Sequence, residues 1–264
     1  MQYSGILTKM ATELLSEVQY YLVFKNDFIH LNTLLNQTIN MELIGHQCVS
    51  CGQEKTLYRQ GFCYSCFYSS PQSGDWIFRP ELSKAHLNIV DRDLEYEKKV
   101  QLQPHVVYLS FTGDIKVGMT RKSQIPYRWI DQGATQAFPI IEVPNRYLAG
   151  ITEVALKEIY PDKTNWRKML ADVKANIHWT KEFEKIKNYI PKEATEYLTP
   201  TALSTTEIKY PVLEYPTKIN SINLDKLTTF KGVLKGIKGQ YLIFEGGFVM
   251  NVRNHEGCKV KLMF

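Results

Sequence analysis

The sequence lacks any long uninterrupted apolar run. A helix that crosses a bilayer needs roughly 18–20 consecutive apolar residues, and no segment of the 264-residue chain has that character. The N-terminus, MQYSGILTKMATELLSEV, has acidic residues close to its start and no continuous apolar stretch, which argues against a secretory signal peptide. We therefore expect a cytoplasmic protein with no membrane partner.

Neither sign of charge dominates the composition. The chain has 32 Lys and Arg residues against 27 Asp and Glu, for a net charge of +5. This mildly basic balance permits contact with nucleic acid without requiring it, and a surface kept soluble by charge gives the same balance. With 44% hydrophobic residues, the chain is typical of a globular protein with one large or two to three small domains.

Cysteine is scarce and unevenly placed. Four of the five cysteines form two CxxC pairs, and the fifth, Cys258, has no assigned role. In a cytoplasmic chain such clustering favours a metal site over disulfides. The paired residues Cys48, Cys51, Cys63 and Cys66 can place four thiolates around Zn²⁺ at about 2.3 Å each. The spacing predicts a zinc ribbon with a structural zinc ion, because four thiolates leave no open coordination position.

Basic and aromatic residues surround the two cysteine pairs. Arg59 accompanies Tyr58, Tyr64, Phe67 and Tyr68. Such side chains can stack on nucleic-acid bases, or they can cover the metal, and the sequence leaves both interpretations open.

Turn residues and periodicity divide the chain into six segments of an α+β protein. We expect a zinc ribbon, a small α/β module and a C-terminal β-meander or barrel-like unit. No internal repeat is visible. The segments are a β-rich N-terminal segment (1–45), the zinc ribbon (46–70), a surface connector (71–104), the α/β module with trailing helices (105–190), a Pro/Thr/Ser-rich linker (191–228) and the β unit (229–264).

The α/β module begins with a predicted hairpin. The strand-like stretches HVVYLSF and DIKVGMT are separated by TGD, which is turn chemistry. Helices are predicted over AGITEVALKEIY, NWRKMLADVKA and TKEFEKIKNYI. In the first of these, Ile151, Val154, Ala155 and Ile159 share one face, so we expect that face to be buried.

Three residues of this module form a candidate phosphodiester-cleaving set. Tyr108 lies within the first strand, Arg128 in a short helix that Pro126 starts, and Glu153 on the next long helix. A carboxylate binds Mg²⁺ or a similar hard cation. The cation and the arginine offset charge on the phosphate, while the tyrosine positions or deprotonates a water molecule.

Further residues are candidates for binding the phosphate or the nucleic acid. Gly118 ends the second strand and permits close approach of a ligand, and Asn165 opens a later helix. If the protein binds nucleic acid without cleaving it, we expect Lys116, Arg121, Lys122 and Arg128 to act as a basic strip. Arg128 in a surface ion pair, and Glu153 as an ordinary exposed glutamate, are the competing interpretations.

The same residues resemble the GIY-YIG nucleases. The stretch VVYL (106–109) resembles the first triplet of that family, Lys116-Val117-Gly118 resembles the second, and Arg128 takes the place of the family arginine. The family has a tyrosine where this chain has Lys116. A lysine there can bind phosphate, or it can mark a member that binds without cutting.

The glutamate helix extends the resemblance. In the family, the metal-binding glutamate is followed by an aliphatic helix, a proline-containing turn and an asparagine, and Glu153, Pro161 and Asn165 follow the same order. The similarity covers about residues 105–170. It implies a Mg²⁺- or Mn²⁺-dependent endonuclease that acts on DNA or RNA through Tyr108, Arg128 and Glu153. The alternatives are a non-catalytic nucleic-acid-binding zinc protein and a zinc-stapled protein–protein adaptor.

Over its full length the chain also resembles a bacterial family of uncharacterised proteins. The shared features are the N-terminal CxxC pairs and two blocks that read KVGMTRKSQIPYRWIDQGA and DKTNWRKML here. This second resemblance supplies no function.

Overall fold

The computed structural model describes residues 1–198 and 204–264, so part of the predicted linker at 191–228 lies outside the described residues. The chain forms two compact units. Unit 1 consists of Met1–Tyr68, Leu170–Asp172 and Ile208–Phe264, and unit 2 of Ser69–Met169 and Val173–Glu207. Within the described ranges, every helix is too short or too polar to cross a membrane.

The described strands are β1 (Gln2–Ile6), β2 (Ala11–Leu14), β3 (Val18–Val23), β4 (Phe28–His30), β5 (Thr38–His46), β6 (His105–Phe111), β7 (Ile115–Arg121), β8 (Gln136–Val143), β9 (Thr206–Glu207), β10 (Asn220–Ser221), β11 (Thr229–Lys238), β12 (Tyr241–Phe244), β13 (Phe248–Asn251) and β14 (Cys258–Met263).

The described α-helices are α1 (Tyr64–Ser69), α2 (Asp75–Phe78), α3 (Leu94–Gln101), α4 (Tyr127–Asp131), α5 (Arg146–Leu156), α6 (Trp166–Met169), α7 (Trp179–Ile186), α8 (Lys192–Thr195) and α9 (Leu224–Leu227). Short 3₁₀ helices occupy Leu31–Leu34, Pro71–Ser73, Pro80–Leu82, Ala85–Leu87, Lys122–Gln124, Lys187–Tyr189, Glu245–Gly247 and Val252–His255.

Unit 1 is built on a seven-stranded sheet with the order β1-β14-β5-β11-β12-β13-β10, beside a three-stranded sheet with the order β2-β3-β4. The strands predicted for residues 229–264 are confirmed. These strands share a sheet with strands of the N-terminal segment, because β14 lies between β1 and β5. Joining the two ends of the chain in one sheet pairs strand edges that each segment would leave open by itself.

Unit 2 contains a four-stranded sheet with the order β7-β6-β8-β9. The predicted hairpin is confirmed: β6 pairs antiparallel with β7, and Gly113 turns between them at φ +92. Strand β8, which was not predicted from the sequence, pairs with the other edge of β6. Every residue of β6 is buried, so the strand that carries Tyr108 is the centre of the sheet.

Helix α5 packs with its buried side on the core of unit 2. That side carries Ala149, Thr152 and Leu156, whereas Val154 is 40% exposed. The predicted face through Val154 is therefore only partly buried: Ile151, Ala155 and Ile159 are half-buried, and Ile159 packs against the core. Glu153 follows Ala149 by four residues and precedes Leu156 by three, so the helical period turns it toward the buried side.

Two other helix predictions are confirmed only in part. Helix α7 covers most of TKEFEKIKNYI, but only Trp166–Met169 of NWRKMLADVKA is helical. The segment expected as a surface connector, 71–104, contains α2 and α3 and buries Trp76 to 3% exposure. A β-carbon added to Gly150 of α5 would lie 2.5 Å from the Pro80 carbonyl carbon, so this segment packs directly against α5. The described chain is thus a mixed α and β protein with several sheets and a cluster of cysteines.

Candidate metal centre and candidate phosphate site

The four paired cysteines converge in unit 1. The Sγ atoms of Cys48, Cys51, Cys63 and Cys66 all lie within 4.8 Å of one another. The first pair lies in the turn after β5, and the second lies at the start of α1. Gly61, at φ +76, makes the turn before the second pair, and an added β-carbon would lie 2.9 Å from the Glu256 carbonyl oxygen. This four-cysteine cluster can hold a metal ion such as zinc.

Hydrogen bonds favour the thiolate form at two of these cysteines. The Ser65 hydroxyl and the Cys66 backbone amide lower the pKa of Cys63 to about 6. Burial acts to raise the pKa of Cys48, but backbone amide donors led by that of Cys51 outweigh it and lower the pKa. The Cys63 amide, for example, is 3.2 Å from the Cys48 sulfur. Thiolates are the form that binds metal. At Cys66, by contrast, hydrogen bonding with the Cys63 side chain, together with burial, raises the pKa to about 11.

The aromatic residues beside the cluster pack on one another and also face solvent. The ring of Tyr58 lies 5.2 Å from that of Tyr64 and 5.3 Å from that of Phe67, both edge to face. The Arg59 guanidinium lies 5.2 Å from the Tyr58 ring centroid. Tyr64 and Tyr68 remain 65% and 53% exposed. These rings therefore cover part of the surface beside the metal ligands and still present faces to solvent.

In unit 2, Tyr108 lies against Gly118, its partner across the hairpin. A β-carbon added to Gly118 would lie 2.8 Å from the Tyr108 phenol oxygen. That phenol donates a hydrogen bond to Gln132 Oε1 at 2.9 Å, and its ring meets Trp129 edge to face. Burial raises the pKa of Tyr108 to about 12, although Arg128, which hydrogen-bonds to it, opposes the rise. Tyr108 therefore stays protonated at neutral pH.

Lys116 is buried beside this pair. It is 3% exposed, and its amine donates to the Asp162 carbonyl oxygen at 2.9 Å and to Thr164 Oγ1 at 3.3 Å. Burial, together with the nearby charge of Arg128, lowers the pKa of Lys116 to about 8.

Glu153 faces the same group of charges. Burial raises its pKa, while Lys157, Lys116 and Arg146 act to lower it. The charge of Glu153 also acts to raise the pKa of Tyr108. In unit 2, the charges of Arg128 and Glu153 thus act on both Tyr108 and Lys116, although the four residues come from four different elements.

Two cationic residues at this site, Arg146 and Lys157, were not predicted from the sequence. Arg146, at the start of α5, donates to the Trp76 and Ile77 carbonyl oxygens at 3.2 and 2.9 Å. Burial lowers its pKa to about 10, and the charge of Glu153 opposes that change. Lys157 pairs with Asp162 at 3.0 Å. The carbonyl partners of Arg146 come from the segment expected as a connector, so the sequence carried no signal for its position. Lys157 follows Glu153 by four residues in the predicted helix, and this spacing could have placed it beside the carboxylate.

Two of the predicted phosphate-binding residues, Lys122 and Asn165, have other contacts. The exposed amine of Lys122 pairs with Glu142 at 2.9 Å. Asn165 caps α6 by accepting a hydrogen bond from the Lys168 amide at 3.3 Å. Arg121 ends β7, where its charge acts on Arg146. Within the expected basic strip, Lys116 is therefore buried and Lys122 is paired with a carboxylate at the surface.

Comparison with known proteins gives a family but no activity. No curated protein and no solved structure matches the chain. Residues 36–260 match DUF2797, a family described as a protein of unknown function. The match includes both the four-cysteine cluster and the residues around Gly118. Because it spans most of the sequence, the chain belongs to the DUF2797 family.

Proposed function

We propose that unit 2 cleaves phosphodiester bonds in DNA or RNA with the help of a divalent cation bound at Glu153. The observation that carries this proposal is that the charges of Arg128 and Glu153 both act on Tyr108, whose phenol lies against Gly118. A hydroxyl, a guanidinium and a half-buried carboxylate can supply what such a reaction needs from a protein.

Each of these residues has a distinct role in the proposal. Arg128 binds the scissile phosphate and offsets the charge that develops on its oxygens. Tyr108 stays protonated, so we assign it the positioning of the attacking water through hydrogen bonds rather than the removal of a proton. Gly118 leaves room for that phenol. Glu153 supplies the oxygen ligand for Mg²⁺ or Mn²⁺, and sites for Mg²⁺ commonly use only one or two carboxylates.

When bound, the cation would supply Lewis-acid stabilisation of the phosphate and lower the pKa of a coordinated water. The orientation of Glu153 does not depend on it, because α5 is held by the packing of Ala149 and Leu156 and by the Asn145 side chain, which accepts from the Leu148 amide at 2.9 Å.

The order of elements also supports the resemblance to the GIY-YIG nucleases. A hairpin, β6–β7, is followed by the helix with Arg128 and then by the helix with Glu153. We assign the four-cysteine cluster a structural Zn²⁺ in a zinc-ribbon-like module, since four thiolates close the coordination sphere.

A second candidate function is nucleic-acid binding without cleavage. Two hydrogen bonds favour it. The Lys116 amine donates to the Asp162 carbonyl oxygen, and the Tyr108 phenol donates its proton to Gln132. In that case Arg128 binds a phosphate but no group activates water.

The two functions are distinguished by incubating the purified protein with single-stranded, nicked and branched DNA and RNA in Mg²⁺ or Mn²⁺. Product formation supports cleavage, and salt-dependent binding without product supports the second candidate.

A further inference from the structure

Unit 1 contains a second set of metal-ligating side chains outside the four-cysteine cluster. We propose that His46, Asp225 and Cys258 form a second metal site, which binds Zn²⁺ or a cation with the same ligand preference. One donor atom from each residue lies within 4.8 Å of the other two. Zinc bonds are about 2.0–2.3 Å long. If the donor atoms move by a few tenths of an ångström to about 1 Å, their distances from one another match those of ligands that share one zinc ion.

Strand pairing places two of the three ligands. His46 is the last residue of β5 and Cys258 is the first residue of β14, and these two residues are direct partners in the antiparallel ladder. Side chains of directly opposed residues lie on the same face of a sheet. The imidazole and the thiol are therefore neighbours because of the register of the two strands.

The third ligand, Asp225, lies in α9. His46 Nε2 lies 2.8 Å from Asp225 Oδ1. The Asn223 side chain caps the helix by accepting from the Asp225 amide at 2.9 Å, and the fully buried Leu224 donates its amide to His255 Nε2 at 3.1 Å. The carboxylate is thus positioned by backbone contacts that do not require a metal.

The chemical types of the three ligands determine which cations the site can bind. One thiolate, one imidazole and one carboxylate suit Zn²⁺ or Co²⁺, whereas Mg²⁺ and Ca²⁺ require oxygen ligands. Three protein ligands leave the fourth tetrahedral position to water. The side chains of His46 and Asp225 are 33% and 54% exposed, which admits the ion, while Cys258 is 2% exposed and forms the floor.

A surface ion pair between His46 and Asp225 would explain only two of the three residues. It gives no reason for a buried thiol beside them. Zinc binds the thiolate form of cysteine and binding releases a proton, so loading should be performed at mildly alkaline pH.

Metal stoichiometry tests this site. The full-length protein is loaded with excess Zn²⁺, desalted, and its zinc is measured by elemental analysis against protein concentration. We expect two equivalents per chain in the wild type, and one in both Cys258→Ala and Asp225→Asn, with Lys226→Ala as the matched surface control that keeps two. Asp225 is exposed, so its variant folds even if the cysteine variant does not. One equivalent in the wild type, or two equivalents in Asp225→Asn and in folded Cys258→Ala, overturns the proposal.

Discussion

The phenol of Tyr108 lies directly over Gly118, its partner across the β6–β7 hairpin, where an added β-carbon would come within 2.8 Å of the phenol oxygen and 2.9 Å of the ring carbon that bears it. The glycine is therefore needed for packing rather than for an unusual backbone angle. The strand register that pairs these residues also determines where the phenol can meet Arg128 and Gln132.

Replacing Gly118 by alanine is expected to displace Tyr108. Overpacking of a filled core costs typically about 1–3 kcal/mol of unfolding free energy. Urea denaturation of the wild type and Gly118→Ala measures this cost. The control is the same substitution in a Tyr108→Ala background, where the added methyl group meets open space and the cost should largely disappear. An equal cost in both backgrounds would contradict the contact.

Lys116 makes stability depend on pH. Its pKa in the folded protein is about 8, below the ordinary lysine value of 10.5, because the amine is buried. Between these values the unfolded chain binds the proton and the folded chain does not, so Lys116 penalises folding progressively as pH falls from 10.5 to about 8. Below that range the penalty is constant.

The variant Lys116→Met removes this titration. Relative to Lys116→Met, the wild type should lose on the order of 3 kcal/mol as pH falls through the range, at about 1.4 kcal/mol per pKa unit. Urea denaturation of both proteins across a pH series gives the difference curve. A difference that stays flat across the range would show that the amine is not desolvated.

Arg128 is expected to contact a phosphate when nucleic acid binds. Each phosphate neutralised contributes a slope of about −0.7 to −0.9 to a plot of log affinity against log salt concentration. Arg128→Gln should reduce the magnitude of the slope by about one such unit. Lys168→Gln is the control, because Lys168 pairs with Asp114 at 2.8 Å. Fluorescence anisotropy at several salt concentrations supplies the slopes, and an unchanged slope in Arg128→Gln would exclude this contact.

Removing metal should affect the four-cysteine cluster locally. A chelator takes away the cation that holds four mutually close thiolates, so the turn and helix that carry them should open. Hydrogen exchange is expected to become faster at amides such as those of Gly52 and Cys63, which bond to the Cys48 carbonyl oxygen and sulfur. The amides of β6, in the buried sheet of unit 2, serve as the internal control. Unchanged exchange at Gly52 and Cys63 would argue against a bound metal.

Local signals in the sequence were sufficient for some parts of the structure. The TGD turn between two strand-like stretches predicted the β6–β7 hairpin, and the CxxC spacing predicted the cysteine cluster. Both depend on residues close together in the chain, where turn chemistry and ligand spacing are decisive.

Other parts depend on contacts that the local sequence does not encode. Strand β8 includes Pro139, which is unfavourable in a strand interior, but it lies at a register shift opposite Tyr108 where the ladder is interrupted. The pairing of β1 with β14 joins opposite ends of the chain. The half-buried position of Glu153 follows from which side of α5 packs on the sheet, so the nearby charges of Lys116 and Arg146 could not be predicted from the helix alone.

The central proposal is tested most directly by cleavage with a charge-matched pair of variants. Glu153→Gln removes the proposed metal-binding carboxylate, whereas Glu158→Gln removes an exposed carboxylate just beyond the same helix. With Mg²⁺ or Mn²⁺ and labelled DNA or RNA, we predict that the wild type and Glu158→Gln form product. Glu153→Gln should lose at least about 10²-fold in rate, comparable to the loss of a main electrostatic group in an active site. Equal rates in Glu153→Gln and the wild type, or no product from any of the proteins on any substrate, would contradict the proposal.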